Sequence, residues 1–152
     1  MNNKILFAGL ALIIIIAIFG VIFTKKDAAP EYQVSSPEDV VRQYFTAWNN
    51  NNWPDMYATM SDGFKKIEPT AKDFISFRNY VLFQNIEGVK VLSVKETFNN
   101  KETAEVEYAV EFLLIGGVKR TFSGTFTLRY RQGDIIPGWK LIHPYGNNID
   151  GS

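Results

Sequence analysis

TAEVEYAVEFLLIGGVKRTFSGTFTLRYR, residues 103–131, decides how this chain folds. From Thr103 to Ile115 the side chains alternate. Val106, Tyr108, Val110 and Phe112 share one face, and Glu105, Glu107 and Glu111 share the other. From Lys119 to Arg131, Phe122, Phe126, Leu128 and Tyr130 fall together, with Thr125, Thr127, Arg129 and Arg131 opposite. A period of two belongs to a strand with one buried face, and the glycines between the halves make a hairpin. A two-residue Gly116-Gly117 turn would set Glu111 beside Phe122, a carboxylate beside a core ring. A three-residue loop, Gly116-Gly117-Val118, pairs Phe112 with Phe122, Tyr108 with Phe126 and Glu105 with Arg129. One face stays apolar and the other charged, so this is the predicted register.

Outward from the hairpin, Val89 to Phe98 and Trp139 to Tyr145 also read as strands, giving four. Before Gly88 the period is helical. Ser36-Pro37-Glu38-Asp39 supplies an N-cap hydroxyl, a proline for the first helical position and acids for the first turn. Val40, Val41, Tyr44, Phe45 and Trp48 then recur at three- and four-residue spacing until Asn49-Asn50-Asn51-Asn52 ends the helix. A second helix is predicted from Trp53-Pro54-Asp55 through Met56, Tyr57 and Met60, stopped by Ser61-Asp62-Gly63. A third is predicted from Thr70 through Phe74, Phe77, Tyr80 and Val81 to Gln84-Asn85. Helices first and strands after make an α+β domain over 36–146: three helices packed on a curved, mainly antiparallel four-stranded sheet.

Upstream lies ILFAGLALIIIIAIFGVIF, Ile5–Phe23, with Lys4 before it and Lys25-Lys26 after it. As a helix it nearly matches the roughly 30 Å core of a bilayer, and nothing polar interrupts it. The expected order is a tail over 1–4, a transmembrane signal anchor over 5–24, a linker over 25–35, the domain, and a tail over 147–152. A cleaved leader is the alternative reading. The run exceeds an ordinary signal-peptide core, and cleavage after Ala29 would place Asp27 and Pro30 at unfavourable positions. The expected location is therefore the cell membrane, single-pass. The domain is expected on the extracytoplasmic side, although the flanking charges nearly cancel.

The 152-residue chain carries 16 basic and 16 acidic side chains and no cysteine. Without Lys4, Lys25, Lys26 and Asp27, 13 basic and 15 acidic groups remain, so the basic footprint of a nucleic-acid binder is missing. Disulfides, cysteine-ligated zinc and thiol catalysis are excluded.

SPEDVVRQYFTAWNNNNWPDMYATMSDGFK, a third helix, long hairpins and a final GWKLIHPY strand resemble the nuclear transport factor two-like superfamily over 36–145. The chain is similar to small membrane-anchored or secreted members and to the domain preceding some penicillin-binding transpeptidases. The resemblance implies a cone whose interior can hold a ligand. Enzymes of that fold place an aspartate, often with a tyrosine or histidine, inside. Here Glu105, Glu107 and Glu111 fall on the outer face by parity, and the inward set is apolar.

Candidate pocket residues are Tyr44, Trp48, Tyr57, Tyr80, Tyr108 and His143, although the spacing of the aromatics suits core packing better and a lone His143 is more simply a hydrogen-bonded strand end. Asp62 reads as a turn residue. Glu105, Glu107, Glu111, Arg129 and Arg131 form a candidate interaction face, or simply a solvated one. No catalytic residue, metal ligand or cofactor is expected. The leading expectation is a membrane-tethered, non-enzymatic module that binds a protein partner, or a second copy, through its sheet face or cone mouth. The alternative is a small-molecule binder or an isomerase- or hydrolase-like enzyme with an apolar cavity.

Overall fold

The computed structural model describes residues 34–142. The apolar run, most of the linker, His143 and the C-terminal tail lie outside the described residues. Among the described residues no helix is long and apolar enough to cross a membrane.

The elements run α1 (Pro37–Asn49), α2 (Trp53–Ala58), α3 (Asp62–Ile67), α4 (Phe74–Phe83), then β1 (Ile86–Asn99), β2 (Thr103–Leu114), β3 (Val118–Arg131) and β4 (Gly138–Leu141). The sheet follows chain order and every neighbouring pair is antiparallel. The α+β class and the four strands stand; the number of helices is four among the described residues, not three.

Helix α1 begins as its residues require. The Ser36 hydroxyl accepts the Asp39 N–H at 3.2 Å, while the Asp39 carboxylate accepts the Ser36 N–H at 3.1 Å. The additional helix is α3. Ser61-Asp62-Gly63 starts a helix instead of ending one, because the Ser61 hydroxyl caps it by accepting the Phe64 N–H at 3.0 Å. Helix α4 begins at Phe74, later than the expected Thr70. Asp73 caps it through Ser76 at 2.7 Å, while Glu68 binds the Thr70 N–H and hydroxyl at 3.1 and 2.8 Å in a preceding turn.

The β2–β3 hairpin keeps the predicted faces but slips by two residues. Its loop is Ile115-Gly116-Gly117, so Leu114 pairs with Val118, Phe112 with Arg120, Val110 with Phe122, Val106 with Phe126 and Tyr108 with Gly124. Both glycines adopt left-handed backbone, φ +87° and +79°, which a β-branched Val118 in the loop would resist. Parity survives an even slip. Val106, Val110 and Leu128 are buried together with Val40, Val41, Phe45, Val89, Val94 and Leu141 between sheet and α1. A second cluster of Met56, Met60, Phe64, Ala71, Phe77 and Val81 joins the helices. Each of the valine, leucine, methionine and phenylalanine side chains contributes about 1.5–3 kcal/mol when fully withdrawn from water.

Both edges of the sheet are occupied. On the outer side of β1, Asn49 accepts the Val89 N–H at 3.0 Å. Arg42 donates to the Val94 carbonyl at 3.1 Å, and Glu38 accepts the Glu96 N–H at 2.7 Å. Along β4, Met60 bridges Leu141 in parallel; the Ser61 N–H donates to the Leu141 carbonyl at 3.1 Å and the Leu141 N–H to Thr59 at 2.9 Å.

Candidate functional site

Two regions follow from this packing: a cleft between helices and sheet, and the outer face of the sheet. The cleft, about 290 Å³, is lined by Tyr44 of α1, Met60, Phe64 of α3, Phe77 and Tyr80 of α4, Phe126 of β3 and Leu141 of β4, with Glu68, Thr70 and Ala71 beside them. Of the candidate pocket residues, the structure brings Tyr44 and Tyr80 together there. Tyr44 stands edge-on to Phe126 at 5.5 Å between ring centres. Burial pushes its phenol well above the ordinary value, and the phenols of Tyr108 and Tyr80 add to the effect, so it stays a neutral hydroxyl.

Trp48, Tyr57 and Tyr108 do not line the cleft and pack elsewhere. Tyr108 stacks on Phe126 at 4.7 Å and leans on Phe45 at 4.9 Å. Trp48 packs on Phe112 at 5.2 Å, and its buried indole N–H finds no partner. Tyr57 donates to the Ala71 carbonyl at 2.8 Å, and the Lys65 ammonium sits 4.6 Å over its ring. Met60, Phe64 and Phe77 went unnoticed as lining residues; their helical spacing signals burial but not which space they border.

On the outer face Glu105 and Glu107 are exposed. The expected Glu105–Arg129 pairing gives way to Glu105 opposite Thr127 and Arg129 opposite Thr103, the consequence of the two-residue slip. Opposite charges come from β1: Lys95 lies across from Glu107 and Lys90 from Glu111, which also binds Lys119 at 3.0 Å. Arg131 binds Asp134 at 3.3 Å. At the centre of the face is a shallow depression bordered by Ser93, Ala109, Ser123, Gly124 and Thr125, with Lys95 and Glu107 at its rim.

A charged cluster that sequence reading missed pins α3 to the β3–β4 connection. Asp134, itself buried, accepts the Asp62 N–H at 3.0 Å, and the Asp62 carboxylate accepts the Ile135 N–H at 2.9 Å and Lys65 at 3.1 Å. Asp62 is therefore the first residue of a helix and a cross-link, not a turn residue. Burial raises its carboxyl, but the Ile135 N–H, the Lys65 hydrogen bond and the charges of Lys65 and Lys140 outweigh it, and the net shift is downward. Lys140 is buried and donates to the Ala58 carbonyl at the C-terminal end of α2. Burial lowers its pKa and Lys65 adds to this, against the pull of Asp134 and Asp62. The partners lie over seventy residues apart, so no local pattern announces them. Among the described residues no three His, Cys, Asp or Glu side chains could hold a metal ion.

Comparison with known proteins places this geometry. A family model described as an NTF2-like N-terminal transpeptidase domain matches residues 36–145. Penicillin-binding protein 3 of Bacillus subtilis is 29% identical over 115 residues, which cover 72% of this chain but 17% of that protein. Two solved structures share the fold: a SEC-C motif containing protein from Psychrobacter arcticus (TM-score 0.53, 14% identity, 75% of this chain and 62% of that one) and another from Rhodopseudomonas palustris (TM-score 0.50, 17% identity, 70% and 74%). The match of the family model over most of the chain, on this four-helix, four-strand frame, assigns the protein to the NTF2-like N-terminal transpeptidase domain family.

Proposed function

We propose that this chain is a non-enzymatic accessory module, tethered to the cell membrane by residues 5–23 with its domain on the extracytoplasmic side, that presents the outer sheet face to a protein partner. The observation that carries this reading is the division of the sheet. Its inner face is packed with the Tyr108–Phe126 stack and the rings of Tyr44, Phe45 and Phe112, apart from the cleft beside Tyr44 and Phe126. Its outer face sets a trough of small side chains between exposed lysines and glutamates. Small residues admit a partner's side chains closely, and alternating charge at the rim selects a complementary surface. Membership in a family of domains that stand beside transpeptidases supports an accessory role, as does the apolar run.

A photocrosslinking residue at Thr125 in native membranes is expected to give one recurrent adduct, lost on Glu107→Lys and restored by adding Lys95→Glu. Recovery of the monomer alone would overturn the proposal.

The cleft favours a second reading, a small apolar ligand held against Tyr44 and Tyr80, since its volume lies near the lower end for ligand pockets, roughly 300–1,000 Å³. Organic extraction of purified protein that returns no small molecule would dispose of it.

A further inference from the structure

Helix α4, FISFRNYVLF, is apolar nearly all round, a composition that ordinarily means burial on every side. Phe77 and Val81 do face the core, but Ile75 is 70% exposed and Phe83 81%. Just past the helix, the Asn85 carbonyl accepts the Ile115 N–H at 3.1 Å, which holds the β2–β3 hairpin tip against the helix end. Ile115 and Val118, at 61% and 51%, are exposed on that tip. Leu82, Phe83, Ile115 and Val118 thus gather at one end of the domain. Cations border them: Arg78 one turn back on α4, and Lys119 and Arg120 directly after Val118. Of the two nearby acids, Glu111 is offset by Lys119 in an ion pair, so Arg78 and Arg120 stand against Glu87 and the net charge is positive.

We propose that the α4 end and the hairpin tip form a second membrane contact, setting Phe83, Leu82, Ile115 and Val118 into the headgroup region of an anionic bilayer. This rests on the reading of 5–23 as an anchor. An apolar tip ringed by cations gains both from burial at the acyl boundary and from the negative surface potential. The chain supplies the proximity. From Thr24 to Ser36 is 13 residues, a reach of at most roughly 45 Å, so even a weak surface contact is populated once the anchor is in place. A second copy on the same patch is the competing occupant. A two-fold contact centred on the tip would bring Arg120 of both copies together, with like charges opposed.

The chain has no cysteine, so single cysteines can carry an environment-sensitive fluorophore. The test places one at Phe83→Cys, Ile115→Cys or, on the outer sheet face, Thr125→Cys, in the full chain reconstituted into phosphatidylcholine vesicles with or without phosphatidylglycerol. Labels at 83 and 115 are expected to shift to the blue and to be quenched several-fold more strongly than the label at 125 by lipid-borne quenchers, only with the anionic lipid. Lys119→Glu with Arg120→Glu should return them to water. Labels at 83 and 115 that stay aqueous while the chain floats with vesicles after alkaline carbonate would overturn the contact and leave the anchor standing. Loss of flotation would overturn the anchor, and the contact with it. Labels shielded from lipid quenchers, increasingly so at higher protein density, would show self-association and overturn the proposal.

Discussion

Replacing Gly124 with alanine would set a methyl group 2.9 Å from the Tyr108 hydroxyl oxygen, 3.2 Å from its Cζ and 3.4 Å from Cε1. Carbon atoms settle at about 3.5–4.0 Å, so the ring must retreat by roughly 0.5 Å. It has little room, with Phe126 stacked at 4.7 Å and Phe45 at 4.9 Å. Overpacking of this kind costs about 1–3 kcal/mol. Alanine recovers about 0.5 kcal/mol because it loses less backbone freedom on folding than glycine. The expected net loss is about 1–2 kcal/mol, a fall in melting temperature of about 5–10 °C for a domain of this size. In a Tyr108→Ala background the obstruction is gone, and Gly124→Ala should then be neutral or slightly stabilising, a coupling of about 1 kcal/mol or more. The assay is a urea titration of the full chain in mild detergent. Trp48, Trp53 and Trp139 all lie within the described residues, so their fluorescence reports this domain. An equal cost in both backgrounds, or a stabilised single variant, would refute the close approach of ring and glycine.

Asp134→Ala removes the acceptor for the Asp62 N–H and for Arg131 and takes one countercharge from buried Lys140, so a loss of about 2–4 kcal/mol is expected in the same titration. Tyr44, Tyr57 and Tyr108 all titrate above the ordinary phenol value of 10, chiefly through burial. Their folded-state values are raised, so the stability they contribute is complete below pH 10 and is lost as pH climbs above it. Tyrosinate absorbance should therefore rise in two stages, the second coinciding with the loss of tryptophan fluorescence.

What the sequence made legible was whatever repeats locally. Helix α1 could be read from Ser36 to Asn49 because cap, proline, acidic first turn and apolar stripe agree within a few residues. The faces of β2 and β3 could be read because parity is a property of each strand alone. Register was not, since a slip of two residues leaves every face unchanged and only the left-handed backbone of Gly116 and Gly117 separates the two hairpins. Helix α3 was hidden because Ser-Asp-Gly serves equally as a stop and as a start; Asp134, more than seventy residues away, favours the start by accepting the Asp62 N–H. The same distance concealed the Asp62–Lys140–Asp134 cluster. Of the candidate pocket, Tyr44 and Tyr80 share a cleft because α1, packed on the sheet, and α4, packed among the helices, border the same space, whereas Tyr57 turns its hydroxyl to Ala71 and Tyr108 turns its ring to Gly124.

The side chains that occupy the margins of the sheet have a consequence for crowding. On the proposed anchoring to a bilayer, the chain would meet its neighbours in two dimensions, where exposed strands would template one another into open-ended stacks. Glu38, Arg42 and Asn49 consume the outward backbone groups of β1 at three points, and residues 59–61 shield β4. Under that proposal the domain could reach high surface density with little pairing through these edges, and a partner would have to read its side chains.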